Sequence, residues 1–268
     1  CKHEHVKENI VPATCTEDGS KTVVCEDCGE TISTAVIPAK GHSFGDWTVT
    51  KEATCFEDGE ETRTCSVCQA VETRPIFANS DNCPSKAFSD LDADAWYHEG
   101  VDYALTNGLM NGVGDNRFAP NSATTRAQLV TILYRLEGQP AVSGDLPFTD
   151  VEAGIWYTDA ILWAAQNNIV NGVSDTEFAP GDDLTRQQLV TILYRYAESK
   201  GYDVSASADL SGYTDAGDIA GYAQTAMAWA NGVGLVTGTS DTTLSPTGSA
   251  VRGQVATILM RFLEHVAV

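Results

Sequence analysis

The stretch TTRAQLVTILYR at residues 124–135 returns as LTRQQLVTILYR at 184–195 and as AVRGQVATILMR at 250–261. Its apolar residues Leu129, Ile132, Leu133 and Leu136 recur at i, i+3, i+4 and i+7, which is one face of an α-helix. Thr125 with Gln128, and Thr185 with Gln188, have the T-x-x-Q spacing of a capping box, so this helix is predicted to begin at those threonines. The third copy has Val251 there, without a hydroxyl, and Ser249 is the nearest substitute cap.

The similarity extends upstream of this helix. The first two copies keep an offset of 60 residues, placing Phe88, Trp96, Gly112, Phe118, Arg126 and Arg135 on Phe148, Trp156, Gly172, Phe178, Arg186 and Arg195. In the third copy the later landmarks stand 66 residues further on, pairing Gly172 with Gly238, Pro180 with Pro246 and Arg186 with Arg252, while the early part is shifted and degraded. Each unit reads as helix, loop, helix. The first helix follows an F-S/T-D opening (Phe88-Ser89-Asp90, Phe148-Thr149-Asp150, and Tyr213-Thr214-Asp215 in the third) and carries apolar residues such as Ala160, Ile161, Trp163 and Ala164. Its end is expected at Asn111-Gly112 and Asn171-Gly172, because glycine tolerates the left-handed conformation that closes helices. One such unit buries too little alone, so three are expected to share a core as six helices with approximate threefold symmetry.

This pattern of F-x-D, W-Y, N-G, F-x-P and T-R-A-Q resembles the S-layer homology domain over about residues 87–264. The resemblance implies a spindle of helices that binds the secondary cell-wall polymer of Gram-positive bacteria, often through a pyruvate ketal. It further implies an extracellular anchor at the cell wall or cell surface, with no enzymatic activity. The residues supply a physical case for that ligand. Arginine pairs bidentately with a carboxylate, and Arg126, Arg186 and Arg252 stand at helix starts where free amides and the helix dipole favour an anion. Trp96 and Trp156 offer either an aromatic face for a sugar or core packing, and Gly112, Gly172 and Gly238 let backbone approach a ligand. Arg135, Arg195 and Arg261 recur equally well but lie deeper in the helix and read as structural. Two departures from the family bear on the site. Gln128, Gln188 and Gln254 stand where glutamate is common, and the third copy has Gly221-Tyr222 for the W-Y pair and Gly253 within its T-R-A-Q equivalent. One or two working grooves are therefore expected. The alternative reading is a protein–protein or surface-lattice assembly module without glycan binding.

Residues 1–83 hold all eight cysteines and form a second repeat: Cys15, Cys25 and Cys28 map onto Cys55, Cys65 and Cys68 at an offset of 40. Alternating stretches at 21–24 and 61–64 predict small β-hairpins turning at Asp18-Gly19 and Asp58-Gly59. Such minidomains are too small to hold a core unaided. A C-x2-C pair with a third cysteine asks for a fourth ligand, as in a Cys3His zinc site. The expected sets are Cys15, Cys25 and Cys28 with His42, or with the Cys1/His3/His5 cluster, and Cys55, Cys65 and Cys68 with Cys83, which adjoins Asn82, the counterpart of His42. Disulfides are the alternative to structural zinc. Similar C-x2-C repeats occur in surface proteins of gut Firmicutes, where they resemble spacers, so these units are expected to form a stalk.

The expected fold is thus mainly α: three tandem helix–loop–helix repeats at 84–140, 141–201 and 202–268 in a pseudo-threefold bundle, preceded by two β-hairpin cysteine-rich units at 1–42 and 43–83. Residues 76–86 read as a mobile linker. The repeats are expected to form an intramolecular trimer within a monomer.

The net charge of −21 is shared by both parts, with 7 basic and 15 acidic residues up to position 83 and 9 and 22 beyond it. That field repels phosphate backbones and anionic lipid, which argues against nucleic acid and membrane-surface partners. No run of about twenty apolar residues exists to span a membrane. The chain begins at Cys1, and the expectation is a fragment or processed form, with a lipid-modified N-terminal cysteine as the alternative. Catalysis would need a clustered nucleophile and base. The histidines are His3, His5, His42, His98 and His265, with no G-x-S-x-G or phosphate loop. Asp90, Asp92 and Asp94 resemble the start of a calcium loop but lack its glycine and final glutamate.

Overall fold

The computed structural model describes residues 1–55, 57–78 and 83–267. The chain divides into two compact units, residues 1–82 and 83–268.

Among its described residues the first unit contains two antiparallel three-stranded sheets, ordered β1-β2-β3 and β4-β5-β6. The strands are β1 (Val6–Val11), β2 (Gly19–Cys25), β3 (Thr31–Ile37), β4 (Thr48–Lys51), β5 (Gly59–Thr64) and β6 (Val71–Ile76). The alternating stretches at 21–24 and 61–64 are the central strands of these sheets, so each unit is one strand larger than a hairpin. Asp18-Gly19 and Asp58-Gly59 are not two-residue turns. They end longer loops, and Gly19 and Gly59 open the central strands where a Cβ would fall 2.3 Å from the Val11 carbonyl and 2.5 Å from that of Lys51. The apolar residues of the outer strands, Ile10, Val11, Val36 and Val71 among them, are exposed, and among the described residues this unit buries few apolar side chains.

Among its described residues the second unit contains six α-helices: α1 (His98–Thr106), α2 (Arg126–Leu136), α3 (Thr158–Gln166), α4 (Arg186–Lys200), α5 (Gln224–Gly232) and α6 (Arg252–His265). Thr125 and Thr185 close reciprocal capping boxes with Gln128 and Gln188. In the third repeat Val251 itself is the N-cap, Gln254 Oε1 accepts its amide at 3.3 Å, and the side-chain half of the box is missing. The first helix of each repeat ends earlier than the N-G pairs suggest. The left-handed residues after it are Gly108, Asn168 and Gly234 (φ 64°, 58° and 76°), while Asn111-Gly112 and Asn171-Gly172 belong to the loop beyond.

The three repeats close on themselves. Helix α2 packs on α3, α4 on α5, and α6 returns to α1. At the centre the Thr124 amide donates to Ala250 O (2.9 Å), Ala250 to Leu184 O (2.7 Å) and Leu184 to Thr124 O (2.8 Å), a triangle linking the three helix starts. Leu129, Leu133, Leu189, Leu193 and Phe262 are fully buried in one core that runs through all repeats. Each such side chain contributes about 1.5–3 kcal/mol on burial. The threefold bundle is therefore present, but the chain as a whole is not mainly α. It has 29% helix and 18% strand, because the two sheets add to the helical unit.

Of the expected linker, residues 79–82 lie outside the described residues, and Pro84–Ala87 forms a short 3-10 helix. Buried Ser85 is held there, its amide donating to Asp102 Oδ1 at 2.7 Å and its hydroxyl lying 2.9 Å from His98 Nε2. That part is anchored to α1.

Candidate functional site

The loops between the paired helices are held by the aspartates of the F-S/T-D openings. Asp90 accepts the amides of Phe118 and Ala119 (both 2.8 Å), Asp150 those of Phe178 and Ala179 (2.8 and 2.7 Å), and Asp215 those of Leu244 and Ser245 (2.8 and 2.7 Å). Ala119, Ala179 and Ser245 are left-handed (φ 58°, 56° and 51°), a conformation costly for residues with a Cβ, and the carboxylates hold it in place. Burial works against ionisation of these aspartates. The paired amides outweigh it, keeping all three below the usual carboxylate value, with Arg117, Arg126 and Arg186 adding to the effect at Asp90, Asp150 and Asp215. Asp90 is thus occupied within the loop.

Each helix-start arginine reaches into the loop of another repeat. Arg126 Nε donates to Phe178 O (2.9 Å) and Nη2 to Asn171 O (3.2 Å). Arg186 Nε donates to Leu244 O (2.8 Å), and Arg252 closes the circle through Phe118 O (2.8 Å) and Asn111 O (2.6 Å). All three are buried, and burial lowers each guanidinium from its ordinary value while Asp182, Asp215 and Asp90 respectively oppose that shift. Arg126 and Arg252 also lie over the Phe178 and Phe118 rings, at 4.6 and 4.5 Å. The third repeat has Leu244 where the other two have these phenylalanines, so the residue whose carbonyl Arg186 bonds carries no ring. The helix-start amides are not free for an anion. Those of Arg126, Arg186 and Arg252 donate to Asp182, Gly248 and Ser122, and the next amides, of Ala127, Gln187 and Gly253, to Pro180, Pro246 and Pro120.

Among the described residues, two of the grooves that open where repeats meet draw on every repeat. The first, about 380 Å³, is lined by Arg126 from repeat one, Gly172, Gln188 and Arg195 from repeat two and Tyr222 from repeat three. The second, about 330 Å³, has the corresponding set Arg186, Gly238, Gln254 and Arg261, with Trp96 in place of Tyr222. A third cavity, about 500 Å³, is lined by Arg135, Trp156 and Asp159 but not by Arg252 or Gly112. Trp96 and Trp156 are both 62% exposed and Tyr222 is 55% exposed, whereas Trp163 and Trp229 are in the core. Glycine is required at 112, 172 and 238 for packing within the loop. A Cβ would fall 2.4 Å from the Phe88 ring, 2.1 Å from Ser174 O and 2.5 Å from Ser240 O.

Arg195 and Arg261, which the sequence pattern marks as structural, line the two grooves, as do Gln188 and Gln254. The signal for them was present in the repeat: they stand nine residues after Arg186 and Arg252, on helices whose starts define the groove.

The S-layer homology domain family matches residues 87–130, 147–190 and 212–256. The helical unit is a triplet of S-layer homology domains. Similar chains include the Surface-layer 125 kDa protein of Lysinibacillus sphaericus, 32% identical over 63% of this chain and 14% of that protein. An endoglucanase of a Bacillus species is 30% identical over 71% of this chain and 20% of its own length. The cellulosome-anchoring protein of Acetivibrio thermocellus is 26% identical over 59% of this chain and 36% of its own. This chain therefore spans a minor part of each of these relatives. Among the described residues, no helix is long and apolar enough to cross a membrane.

The cysteines assemble in an unexpected register. Cys1, Cys15, Cys25, Cys28, Cys65 and Cys68 are free thiols. One group is Cys1, His3, Cys25 and Cys28, and another is Cys15, His42, Cys65 and Cys68, each with one ligand atom per residue, all within 4.8 Å of one another. Cys15 and His42 thus leave Cys25 and Cys28 and join the C-x2-C pair of the following repeat. Cys55 and Cys83 join neither group and, unlike the other six, are disulfide-bonded rather than free, and Asn82 lies outside the described residues. In the second group Cys68 Sγ lies 3.3 Å from His42 Nδ1, and Cys65 Sγ accepts the Ser43 amide at 3.4 Å. Amides from Cys68 and Val67, together with His42 and Ser43, bring the Cys65 thiol down to about 5, although burial opposes this. In the first group Cys1 and Cys25 sulfurs are 3.4 Å apart and Cys28 Sγ is 3.7 Å from His3 Nδ1. Burial raises Cys25, but the Cys28 amide, His3 and the Asp27 amide outweigh it and hold the thiol low. Gly29 and Gln69, left-handed at φ 74° and 61°, turn the chain back after each pair.

Proposed function

We propose that the S-layer homology triplet is a non-catalytic anchor that holds its protein on the bacterial cell surface by binding an anionic cell-wall saccharide in the grooves between repeats. The observation that carries this reading is the pairing of two arginines, a glutamine and a solvent-facing aromatic ring in each of two symmetry-related grooves. Guanidinium groups fork onto a carboxylate, and an exposed indole or phenol ring covers a sugar face. A pyruvate ketal combines both features. Within a chain of net charge −21, such paired cations are also the places where an anion meets least repulsion. The enzymes among the relatives fit this reading, because the shared region is only 20% of the endoglucanase.

Retention on purified cell-wall polymer tests the reading. The Arg195→Ala/Arg261→Ala double variant is expected to lose tenfold to a hundredfold in affinity, about 1.5–3 kcal/mol, with only a small change in melting temperature, because the Arg261 Nη1 hydrogen bond to Leu235 O is long at 3.4 Å. Pyruvylated saccharide should compete, and polymer stripped of its ketals should not. Full retention by the double variant would instead favour surface-lattice assembly. Arg126→Ala is a poorer probe, because it also breaks the Phe178 and Asn171 hydrogen bonds that join two repeats.

For the cysteine groups we propose structural zinc. Three thiolates and one imidazole are a preferred tetrahedral set for this ion. Sulfurs bound at the usual zinc distance stand about 3.8 Å apart. Folding of these sheets would then draw on metal binding where apolar burial is small.

A further inference from the structure

We propose that the Cys15–His42–Cys65–Cys68 centre is a metal clamp between the two tandem sheets, fixing one cysteine-rich repeat against the next. This rests on the zinc reading of the same group. The evidence is the origin of the ligands. Cys15 belongs to the loop between β1 and β2 of the first sheet, and His42 to the segment leaving β3. Cys65 and Cys68 close the turn after β5 of the second sheet. A staple within one repeat would gather Cys15 with Cys25 and Cys28, and the fold separates them: Cys25 and Cys28 take Cys1 and His3, from the segment before β1.

The contacts around the clamp lead to the same joint. The Gly41 amide donates to Cys15 O (3.0 Å) and that of Lys40 to Thr14 O (2.9 Å), which lays the connecting segment beside Cys15. The Ser66 amide donates to Ser43 O (2.9 Å), which lays the other end beside the second knuckle. His42 stands between these two attachments. Its ring is 5.0 Å from that of Phe44, and Phe44 forms an isolated bridge with Cys65. Backbone hydrogen bonds alone would leave such a connection to fray, since the described residues of the two sheets bury few apolar side chains. A tetrahedral ion that takes ligands from both sides of the joint removes that freedom. The joint between the two sheets is then metal-linked, and the metal content of its surroundings sets its stiffness.

The test uses the full chain and two exposed reporter thiols, Cys28 for the first centre and Cys68 for the second. Metal analysis of the purified protein is expected to give two zinc ions per chain, with slow alkylation of both reporters that becomes fast on chelation. Absence of metal, or reporters oxidised to disulfide, would end the zinc reading and the clamp with it. With zinc present, His42→Gln decides the clamp separately. The substitution is in the connecting segment outside both sheets, so neither sheet depends on it for strand pairing. The clamp requires Cys68 to alkylate at least about tenfold faster in this variant while Cys28 stays protected, and His3→Gln to do the reverse. Accelerated Cys28 with protected Cys68 in His42→Gln would overturn it in favour of staples within repeats. Equal acceleration of both, or of neither, would also overturn it.

Discussion

Individual side chains in the helical unit are judged best by which of their polar atoms already have partners. Arg126, Arg186 and Arg252 have the residue type and recurrence of ligand-binding groups, but their Nε atoms are committed to carbonyls of another repeat. Arg195 and Arg261 line the same grooves about two and a half turns further along α4 and α6, and the Arg261 Nη1 bond to Leu235 O, at 3.4 Å, is longer than those three. The opposite case is Thr124, fully buried at the central triangle, whose Oγ1 has no hydrogen-bond partner among the described residues. The equivalent positions are Leu184 and Ala250, neither of which brings a polar side chain. A buried hydroxyl without a partner costs about 1–3 kcal/mol. Thr124→Val is therefore expected to raise stability by about 1 kcal/mol in denaturant unfolding, and a loss of stability of that size would mean the hydroxyl has a role in the triangle.

At the scale of the element, the loops that carry the grooves depend on single carboxylates, and this gives stability a pH dependence of known sign. The folded-state values of Asp90, Asp150 and Asp215 lie below that of an unfolded aspartate, about 3.9. Their contribution is therefore complete above that value and is lost as pH falls through the lower folded values. The melting temperature of the helical unit should be level with respect to these groups above about pH 5 and fall steeply below about pH 4. Asp90→Asn should cost about 1–3 kcal/mol at neutral pH and flatten part of the acid limb. A limb unchanged by that substitution would assign acid unfolding to other groups. The same elements explain what was readable beforehand. Helices α2 and α4 were legible from apolar spacing and from Thr125 and Thr185, because helix period and capping are local. The ends of α1 and α3 were misplaced because Gly112 and Gly172 are required by close contacts of the loop, with the Phe88 ring at Gly112 and with the Ser174 and Glu177 carbonyls at Gly172, and not by a helix terminus. The cysteine sets were unreadable for a related reason. Spacing fixes C-x2-C as a pair, but which distant Cys15 and His42 complete it depends on how consecutive sheets follow one another.

For the helical unit as a whole, the decisive property is closure. Many tandem repeats stack as open solenoids, where each repeat meets only its sequence neighbours and removing the last one shortens the array. Here the last helix returns to the first: α6 packs on α1, Arg252 donates to Phe118 O and Asn111 O, and the Gly253 amide donates to Pro120 O. Repeat three therefore supplies part of the support of repeat one, although 134 positions separate Arg252 from Phe118. The groove containing Trp96 of repeat one and Arg261 of repeat three exists only through that return. A chain ending after α4 keeps both well-preserved repeats but exposes the α1 surface that α6 covers and opens the central triangle. In an open array it would melt cooperatively, somewhat less stable than the parent. In a closed ring it should lose the sharp transition in thermal circular dichroism and retain helical signal without a cooperative midpoint. A sharp melt within a few degrees of the parent would show the two-repeat body to be self-sufficient, and the third repeat would then owe its place to the second groove alone.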